Sequence, residues 1–228
     1  MLSDLFSLLF PNNCASCGNS LLKNEHILCL LCNSNLPFTG FAKEANNSIE
    51  KIFWGRTDVL YAMSLLYFDK ASKVQTLMHK LKYDGEKEIG FYFGKKIAEE
   101  IEAGKRFEKI DLVLPVPLHP KKLKARGYNQ SKFISDGVAH QYNINSPENL
   151  LIRTNFTESQ TKKSRWQRWD NVQDKFSITN ASILENKHVL LVDDVITTGA
   201  TIEACVKELS KVNTCKISVA SVAFASSI

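Results

Sequence analysis

Residues 190–201, with the sequence LLVDDVITTGAT, decide the fold class of this 228-residue chain. An apolar strand leads directly into two adjacent carboxylates, Asp193 and Asp194 (the acidic pair), and then through a short loop into a helix. The helix start offers free N–H groups and the loop adds threonine hydroxyls, a combination typical of a monophosphate cradle. Its candidate residues are Thr197, Thr198, Gly199, Ala200 and Thr201. Because the upstream carboxylates can accept hydrogen bonds from sugar hydroxyls, the stretch predicts a ribose 5-phosphate site.

An alternative interpretation of this stretch is the Walker B strand of a nucleotide hydrolase, followed by an ordinary threonine cap. That class needs a G-x4-G-K-[ST] loop, and the nearest match, residues 90–96 (GFYFGKK), is one residue short and lacks the hydroxyl. The G-x-G-x-x-G fingerprint of dinucleotide folds is missing as well. The sequence therefore disfavours both classes.

Alternating strand and helix patterns extend outward from residues 190–201. Apolar segments predict strands over 61–68, 110–116, 149–153, 188–192 and 216–224. Helical periodicity predicts helices over 71–82, 87–102, 129–142 and 199–212. We expect an α/β fold with a mainly parallel sheet and helices on both faces. Ligands of such sheets bind at the carboxyl ends of the strands, so the loops after 110–116 and 188–192 are the expected site.

Four of the six cysteines form two C-x2-C pairs, at Cys14, Cys17, Cys29 and Cys32. Each pair places two thiolates on one turn, for which Gly18 is suited, and two such turns complete a tetrahedral Zn²⁺ site. Two disulfides or four unrelated buried thiols are the alternatives, and the absence of a secretory signal disfavours the disulfides. Cys205 and Cys215 lie in a helical and a strand pattern, so we expect them in the core.

The cysteine window carries few of the side chains that bind nucleic acid. Between Cys14 and Cys32 the only charged residues are Lys23 and Glu25, and no aromatic residue is present. Surfaces that bind single strands need basic and stacking side chains. Direct nucleic-acid binding is therefore not favoured, and a structural role or a protein contact is the preferred interpretation.

The net charge of +5 is unevenly distributed. Residues 1–60 carry a net charge of −1, whereas 119–132 and 153–170 together carry +8. This concentration favours a small polyanion as ligand over an extended nucleic-acid surface. No apolar stretch approaches the roughly 18 residues of a membrane span, so we expect a cytoplasmic protein without such a span.

The motifs together resemble a known family. Residues 189–201 (VLLVDDVITTGAT) resemble the phosphoribosyl pyrophosphate (PRPP) binding signature of type I phosphoribosyltransferases. Residues 81–85 (LKYDG), 115–130 (PVPLHPKKLKARGYNQ) and 165–171 (RWQRWDN) are similar to the ComF (competence protein) family, which also begins with a four-cysteine zinc ribbon. One departure is Lys175, since the family pattern has a small Gly-Ala pair before Phe176.

The resemblance implies an N-terminal helix and zinc ribbon over 1–50 and a type I phosphoribosyltransferase-like domain over 51–228. It also implies a structural Zn²⁺, PRPP binding with Mg²⁺, and displacement of pyrophosphate at ribose C1 through an oxocarbenium-like state, with an unknown acceptor. DNA-uptake machinery is the implied partner. The alternative is a non-catalytic PRPP-binding accessory protein in DNA uptake or DNA processing.

The same resemblance assigns roles to single residues. Asp193 and Asp194 are the catalytic candidates and, with residues 197–201, contact PRPP. The expected neighbours of the pyrophosphate and its Mg²⁺ are Leu118, His119, Lys121, Lys124, Arg126, Arg165 and Arg168. His119 is either a proton handler or a structural residue of a proline-rich loop. The alternative for the basic residues is a solvated helix face, with Trp166 and Trp169 packed on the sheet.

Overall fold

The computed structural model describes residues 12–154 and 175–225. Two of the predicted site residues, Arg165 and Arg168, lie outside the described residues. Trp166 and Trp169 lie outside them as well. The helices are α1 (Leu30–Ser34), α2 (Ser48–Phe53), α3 (Lys73–Tyr83), α4 (Lys87–Gly104), α5 (Pro120–Arg126), α6 (Gln130–Tyr142) and α7 (Ala200–Leu209). The strands are β1 (Ala62–Tyr67), β2 (Leu112–Pro115), β3 (Leu151–Thr154), β4 (Lys175–Ile178), β5 (His188–Ile196) and β6 (Lys216–Phe224), and a 3-10 turn spans Ala181–Leu184.

The main sheet has the strand order β1-β6-β5-β2, and all of its neighbouring strands are parallel. Strands β3 and β4 form a separate antiparallel pair. The apolar strands are buried at successive positions, which requires cover on both faces of the sheet. The predicted fold class, a mainly parallel α/β sheet with helices, is confirmed.

Strand β5 is longer than the predicted 188–192 and includes the acidic pair. Asp193 and Val195 pair in register with Ser221 and Ala223 of β6. The backbone of the acidic pair is therefore held in the sheet ladder. The predicted strand 188–192 would instead place the pair in the loop that follows. The sequence pattern missed this extension because the two carboxylates end the apolar run while the backbone pairing continues.

Parallel pairing also brings the two predicted site segments to one edge of the sheet. Pro115 of β2 lies opposite Val192 of β5, so both strands end at the same edge. The chain after β2 forms helix α5, with Pro120 in its first turn. Asn129 then caps α6, and its Nδ2 donates to the Val116 carbonyl at 3.1 Å, which fixes the start of α6 at this edge.

The chain before β1 is part of the same packing. The amide of Thr39 donates to the Leu65 carbonyl at 3.0 Å, and that of Tyr67 donates to the Pro37 carbonyl at 2.9 Å. Asn47 is fully buried, caps α2 and donates to the Ala62 carbonyl at 2.9 Å. A domain boundary near residue 50 stays a prediction. Within the described residues, no helix has the length and apolar character needed to cross a bilayer.

Helices α4 and α6 pack more extensively than any other described pair of helices. Two glycines make this approach possible, because a Cβ on Gly94 would meet the Ile134 carbonyl and one on Gly137 would meet the Phe91 carbonyl. These obstacles are backbone atoms, which cannot move aside as a flexible side chain can. The orientation of α6 on the sheet therefore depends on both glycines.

We predict that Gly94→Ala lowers the free energy of unfolding by about 2 to 3 kcal/mol, because the added methyl group forces the two helices apart. A glycine-to-alanine change in an uncrowded helix would instead stabilise it. Urea denaturation measures the effect. Glu99→Ala, on the exposed face of α4, is the control and should change the free energy by less than about 0.5 kcal/mol. Equal stability of Gly94→Ala and the unaltered chain would contradict the close approach.

Candidate functional site

The acidic pair is held by a small network at the end of β5. Ser131 Oγ donates to Asp193 Oδ1 at 2.9 Å, and the Asp194 amide donates to the same oxygen at 2.8 Å. The Val195 amide donates to Asp194 Oδ1 at 2.6 Å. Asp194 is buried, and Ser131, in the first turn of α6, is almost fully buried. The orientation of Asp193 is therefore set by the start of α6.

Desolvation dominates the electrostatics of the pair. Burial of the carboxyl group raises the pKa of Asp193 to about 7, and the adjacent Asp194 charge acts in the same direction. The hydrogen bonds from Asp194 and Ser131, together with the Lys82 charge, offset part of this rise. Asp193 can therefore gain or lose a proton near neutral pH.

Lys82, in the last turn of α3, supplies a cation to the pair. Its Nζ lies 3.0 Å from Asp194 Oδ2, with side-chain exposures of 22% for the lysine and 8% for the aspartate. A buried carboxylate needs such a partner, because an unpaired charge in a desolvated position is costly. The candidate site thus contains a cation that we did not assign from the sequence.

The loop after β5 presents an open backbone to solvent. Thr197, Thr198 and Ala200 are exposed, and Gly199 precedes α7 with a φ of +75°. A Cβ on Gly199 would lie 2.7 Å from Ile52 Cγ2, so the glycine serves both the turn and the close approach of α2. No side chain caps the start of α7, so its first N–H groups are left to bind an anion, as a phosphate cradle requires.

Arg56 supports this loop from the side of α2. Its guanidinium donates to the Thr198 carbonyl at 3.2 Å and to the Ile52 carbonyl at 3.1 Å, and it forms an ion pair with Glu203 of α7. The carbonyl of Thr198 therefore has a donor within the protein. Arg56 is a second residue that the sequence patterns did not indicate.

The predicted pyrophosphate segment forms the exposed helix α5, none of whose residues is buried. His119 caps it, since its Nδ1 accepts from the Lys121 amide at 3.1 Å. This contact favours the structural interpretation of His119. Leu118 is half-buried at the end of the loop, and Lys121 and Lys124 are exposed.

Arg126 contacts residues of α3 and α6 but has no described contact with the acidic pair itself. It donates to Gln130 Oε1 at 3.0 Å and to the Tyr83 hydroxyl at 3.2 Å, and its guanidinium lies 4.9 Å from the centre of the Tyr83 ring. Tyr83 directly follows Lys82. Within the described residues, no contact links Lys121 or Lys124 to the acidic pair, so their predicted roles stay predictions.

The four paired cysteines form one cluster, as the C-x2-C spacing predicts. Their sulfur atoms all lie within 4.8 Å of one another, and those of Cys17 and Cys29 are 3.8 Å apart. Sulfurs at about 2.3 Å from a tetrahedral Zn²⁺ lie about 3.8 Å apart, so the cluster fits zinc in donor type and size. Free thiols in place of disulfides agree with this assignment.

The remaining cysteines are separate from the cluster. Cys205 is fully buried in α7, as predicted for a core residue. Cys215 is half-buried before β6, where burial raises the pKa of its thiol to about 11.

The segment that contains the cysteine cluster contacts helices α3 and α4. Lys73 Nζ, at the start of α3, lies 3.8 Å from Cys32 Sγ. The Tyr92 hydroxyl of α4 donates to Asn33 Oδ1 at 2.8 Å. Three leucines of the same segment are at least 69% exposed: Leu22, Leu30 and Leu31. Exposed apolar side chains are more typical of a protein contact than of a nucleic-acid surface.

The C-terminal part of the chain is similar to a known protein family. Residues 121–227 match the family described as phosphoribosyl transferase domain. Competence protein F of Haemophilus influenzae is 29% identical, over 63% of this chain and 64% of that protein. DNA utilization protein YhgH of Salmonella typhi is 26% identical, over 59% and 60%. Competence protein ComFC of Bacillus subtilis is 24% identical, over 86% and 77%. The chain thus spans slightly less than two thirds of the first two relatives.

We predict that the chain purified without chelators contains one zinc ion, because four sulfur ligands complete a tetrahedral site. Cys14→Ser should lower the zinc content and destabilise the protein, whereas Cys215→Ser, outside the cluster, should retain the metal. Elemental analysis with quantified protein measures both. Metal-free protein in the unaltered chain would remove the zinc assignment.

A second prediction concerns the pH dependence of stability. Between the ordinary pKa of 3.8 and the raised value of about 7, the folded chain keeps a proton on Asp193 that the unfolded chain has released. The contribution of this group to stability therefore falls as pH rises through that window. Asp193→Asn should lose this dependence in urea denaturation at several pH values. Asp136→Asn, a partly exposed carboxylate on α6, should keep it. Parallel pH profiles for the unaltered chain and Asp193→Asn would contradict the raised pKa.

Proposed function

We propose that this chain, which belongs to the ComF (competence protein) family of proteins with a phosphoribosyl transferase domain, binds PRPP and displaces its pyrophosphate. The observation that carries the proposal is the arrangement at the end of β5. A hydrogen-bonded acidic pair, in which Asp194 is buried and Asp193 half-buried, is followed two residues later by a loop with exposed threonines and then by a helix N-terminus. This order matches a sugar phosphate, because hydroxyls need acceptors and a phosphate needs donors.

The ribose 5-phosphate part of PRPP would occupy this arrangement. The acidic pair accepts hydrogen bonds from ribose hydroxyls, and the amides and hydroxyls of residues 197–201 bind the 5-phosphate. Arg56 binds the Thr198 carbonyl of this loop. Because β5 pairing and Arg56 hold the backbone of this loop, binding requires little reorganisation of that backbone.

The pyrophosphate would lie toward the end of β2, beside Leu118 and the N-terminus of α5. Lys121, Lys124 and Arg126 supply positive charge there, with Arg165 and Arg168 as further candidates. The reaction breaks the bond between ribose C1 and the pyrophosphate oxygen and forms a bond from C1 to the acceptor, which releases its proton. Fixed cations favour this step by stabilising the negative charge that develops on the leaving group.

The residues present suit a Mg²⁺ ion that arrives with PRPP. Asp193 Oδ1 accepts two hydrogen bonds, Asp194 Oδ1 accepts from the Val195 amide, and Asp194 Oδ2 faces Lys82. These oxygens form no ready cage, and Mg²⁺ commonly takes its ligands from substrate phosphates, water and one or two carboxylates. When bound, Mg²⁺ would neutralise pyrophosphate charge, with Leu118 and His119 beside it.

A link to competence and DNA uptake is part of the proposal. It rests on the names of the relatives, two of which are competence proteins and one a DNA utilization protein. The exposed leucines of the zinc ribbon favour a protein partner, and the DNA-uptake machinery is the class that these names indicate. A cytoplasmic location suits the four clustered cysteines, which form no disulfides.

A second candidate function is a non-catalytic PRPP-binding accessory protein in DNA uptake or DNA processing. It is favoured by the contact of His119 Nδ1 with the Lys121 amide, which commits that nitrogen to the helix cap. Among the described residues of the loop, His119 was the only candidate for a proton acceptor. A chain with this arrangement can bind PRPP without accelerating transfer.

We predict that the double variant Asp193→Ala with Asp194→Ala loses PRPP affinity by at least about 100-fold, because it removes several hydrogen bonds to charged acceptors. Titration calorimetry with PRPP and Mg²⁺ measures the change. Glu108→Ala, which removes an exposed partner of Lys216, is the matched control and should bind normally. Unchanged affinity in the double variant would refute the assigned site.

The two candidate functions separate in a pyrophosphate-release assay. The chain is incubated with PRPP, Mg²⁺ and a panel of bases and amines. Acceptor-dependent release that disappears in the double variant supports transfer. Tight PRPP binding without release for any acceptor in the panel supports the accessory role.

A further inference from the structure

Three consecutive residues in the last turn of α3 each contact a different part of the candidate site. The Leu81 carbonyl accepts a hydrogen bond from the Tyr128 hydroxyl. Lys82 pairs with Asp194, and Tyr83 both accepts a hydrogen bond from Arg126 and lies under its guanidinium. The end of α3 therefore lies between the acidic pair and the basic helix α5.

The contact between Lys82 and Asp194 has the properties of an exchangeable ion pair. Asp194 Oδ2 is buried, and within the described residues no donor meets it with hydrogen-bonding geometry, although the ammonium is only 3.0 Å away. Lys82 thus neutralises the charge of Asp194 but does not donate a hydrogen bond to its Oδ2. A ribose hydroxyl would supply the missing hydrogen bond at the same oxygen.

Binding of a ribose therefore requires the ammonium to leave Asp194 Oδ2. The lysine side chain is flexible and 22% exposed, so it can change conformation without unfolding α3. A displaced ammonium needs a new anion close by. The contact of Arg126 with Tyr83 places the basic helix α5 beside the residue that follows Lys82, and the pyrophosphate is proposed to bind near that helix.

We propose that Lys82 is the counter-ion of Asp194 in the free protein and binds the pyrophosphate of PRPP once a ribose hydroxyl has taken its place. This inference rests on the function proposed above. It makes Lys82 a specificity-determining residue, because the exchange is favourable only for a ligand that carries both a hydroxylated sugar and an anionic leaving group. Ribose 5-phosphate would displace the ammonium without giving it a new partner.

The test compares two ligands in two variants. Lys82→Met removes the ammonium and keeps an unbranched side chain. Lys80→Met is the matched control, because Lys80 lies on the same helix and forms a 3.0 Å ion pair with Glu86 at 30% exposure. Calorimetry with Mg²⁺ gives the affinities for PRPP and for ribose 5-phosphate, and the readout is their ratio.

We expect Lys82→Met to bind PRPP about 10- to 100-fold more weakly, the loss typical of a charge-assisted hydrogen bond. Its affinity for ribose 5-phosphate should be unchanged or higher, since a competitor for Asp194 is gone. Lys80→Met should keep both affinities. Lys82→Gln, which retains a donor but no charge, should resemble Lys82→Met, and it serves as the test if the methionine variant fails to fold.

Three other outcomes would contradict either the inference about Lys82 alone or the proposed function as well. An equal loss of affinity for both ligands would overturn the inference and assign Lys82 a merely structural role at Asp194. If Lys82→Met and Lys82→Gln bind both PRPP and ribose 5-phosphate with the affinities of the unaltered chain, the inference is overturned as well, while the proposed function stays intact. Absence of PRPP binding in the unaltered chain would overturn the proposed function and the inference together.

Discussion

The parallel pairing of β5 with both β2 and β6 is the constraint on which the candidate site depends. It places the carboxyl ends of neighbouring strands at one edge, so that segments separated by more than 60 residues in sequence meet there. The ladder to β6 also holds the backbone of the acidic pair, and this makes the directions of its side chains fixed and not variable. The loop and the helix that follow inherit their position from this strand.

Holding two adjacent carboxylates in a strand creates an electrostatic problem that other elements solve. Ser131 and the Asp194 amide stabilise one carboxylate, and Lys82 balances the other. Because the pKa of Asp193 is raised to about 7, this carboxyl group can also take up a proton, which removes one of the two negative charges. Two helices, α3 and α6, and the strand itself thus share the desolvation cost of the pair, and a ligand has to replace some of these interactions when it binds.

Much of this arrangement follows from local sequence patterns. Apolar runs, helical spacing and two C-x2-C pairs predicted the fold class, most strands and helices and the cysteine cluster, because each depends on residues close together in the chain. The extension of β5 through the acidic pair was missed, since pairing with β6 compensates for two polar residues. Lys82 and Arg56 were missed because their partners lie far away in sequence, 142 residues in the case of Arg56 and Thr198. A single basic side chain does not indicate by its local sequence which distant residue it will contact.

Helix α3 connects two parts of the molecule that differ in chemistry. Its 11 residues span about 16 Å, with Lys73 against Cys32 at one end and Lys82 against Asp194 near the other. A short α-helix changes its length and direction very little, so a displacement at its first turn moves its last turn by a similar amount. The contact of Lys73 with Cys32 therefore helps to hold in place the helix that carries Lys82.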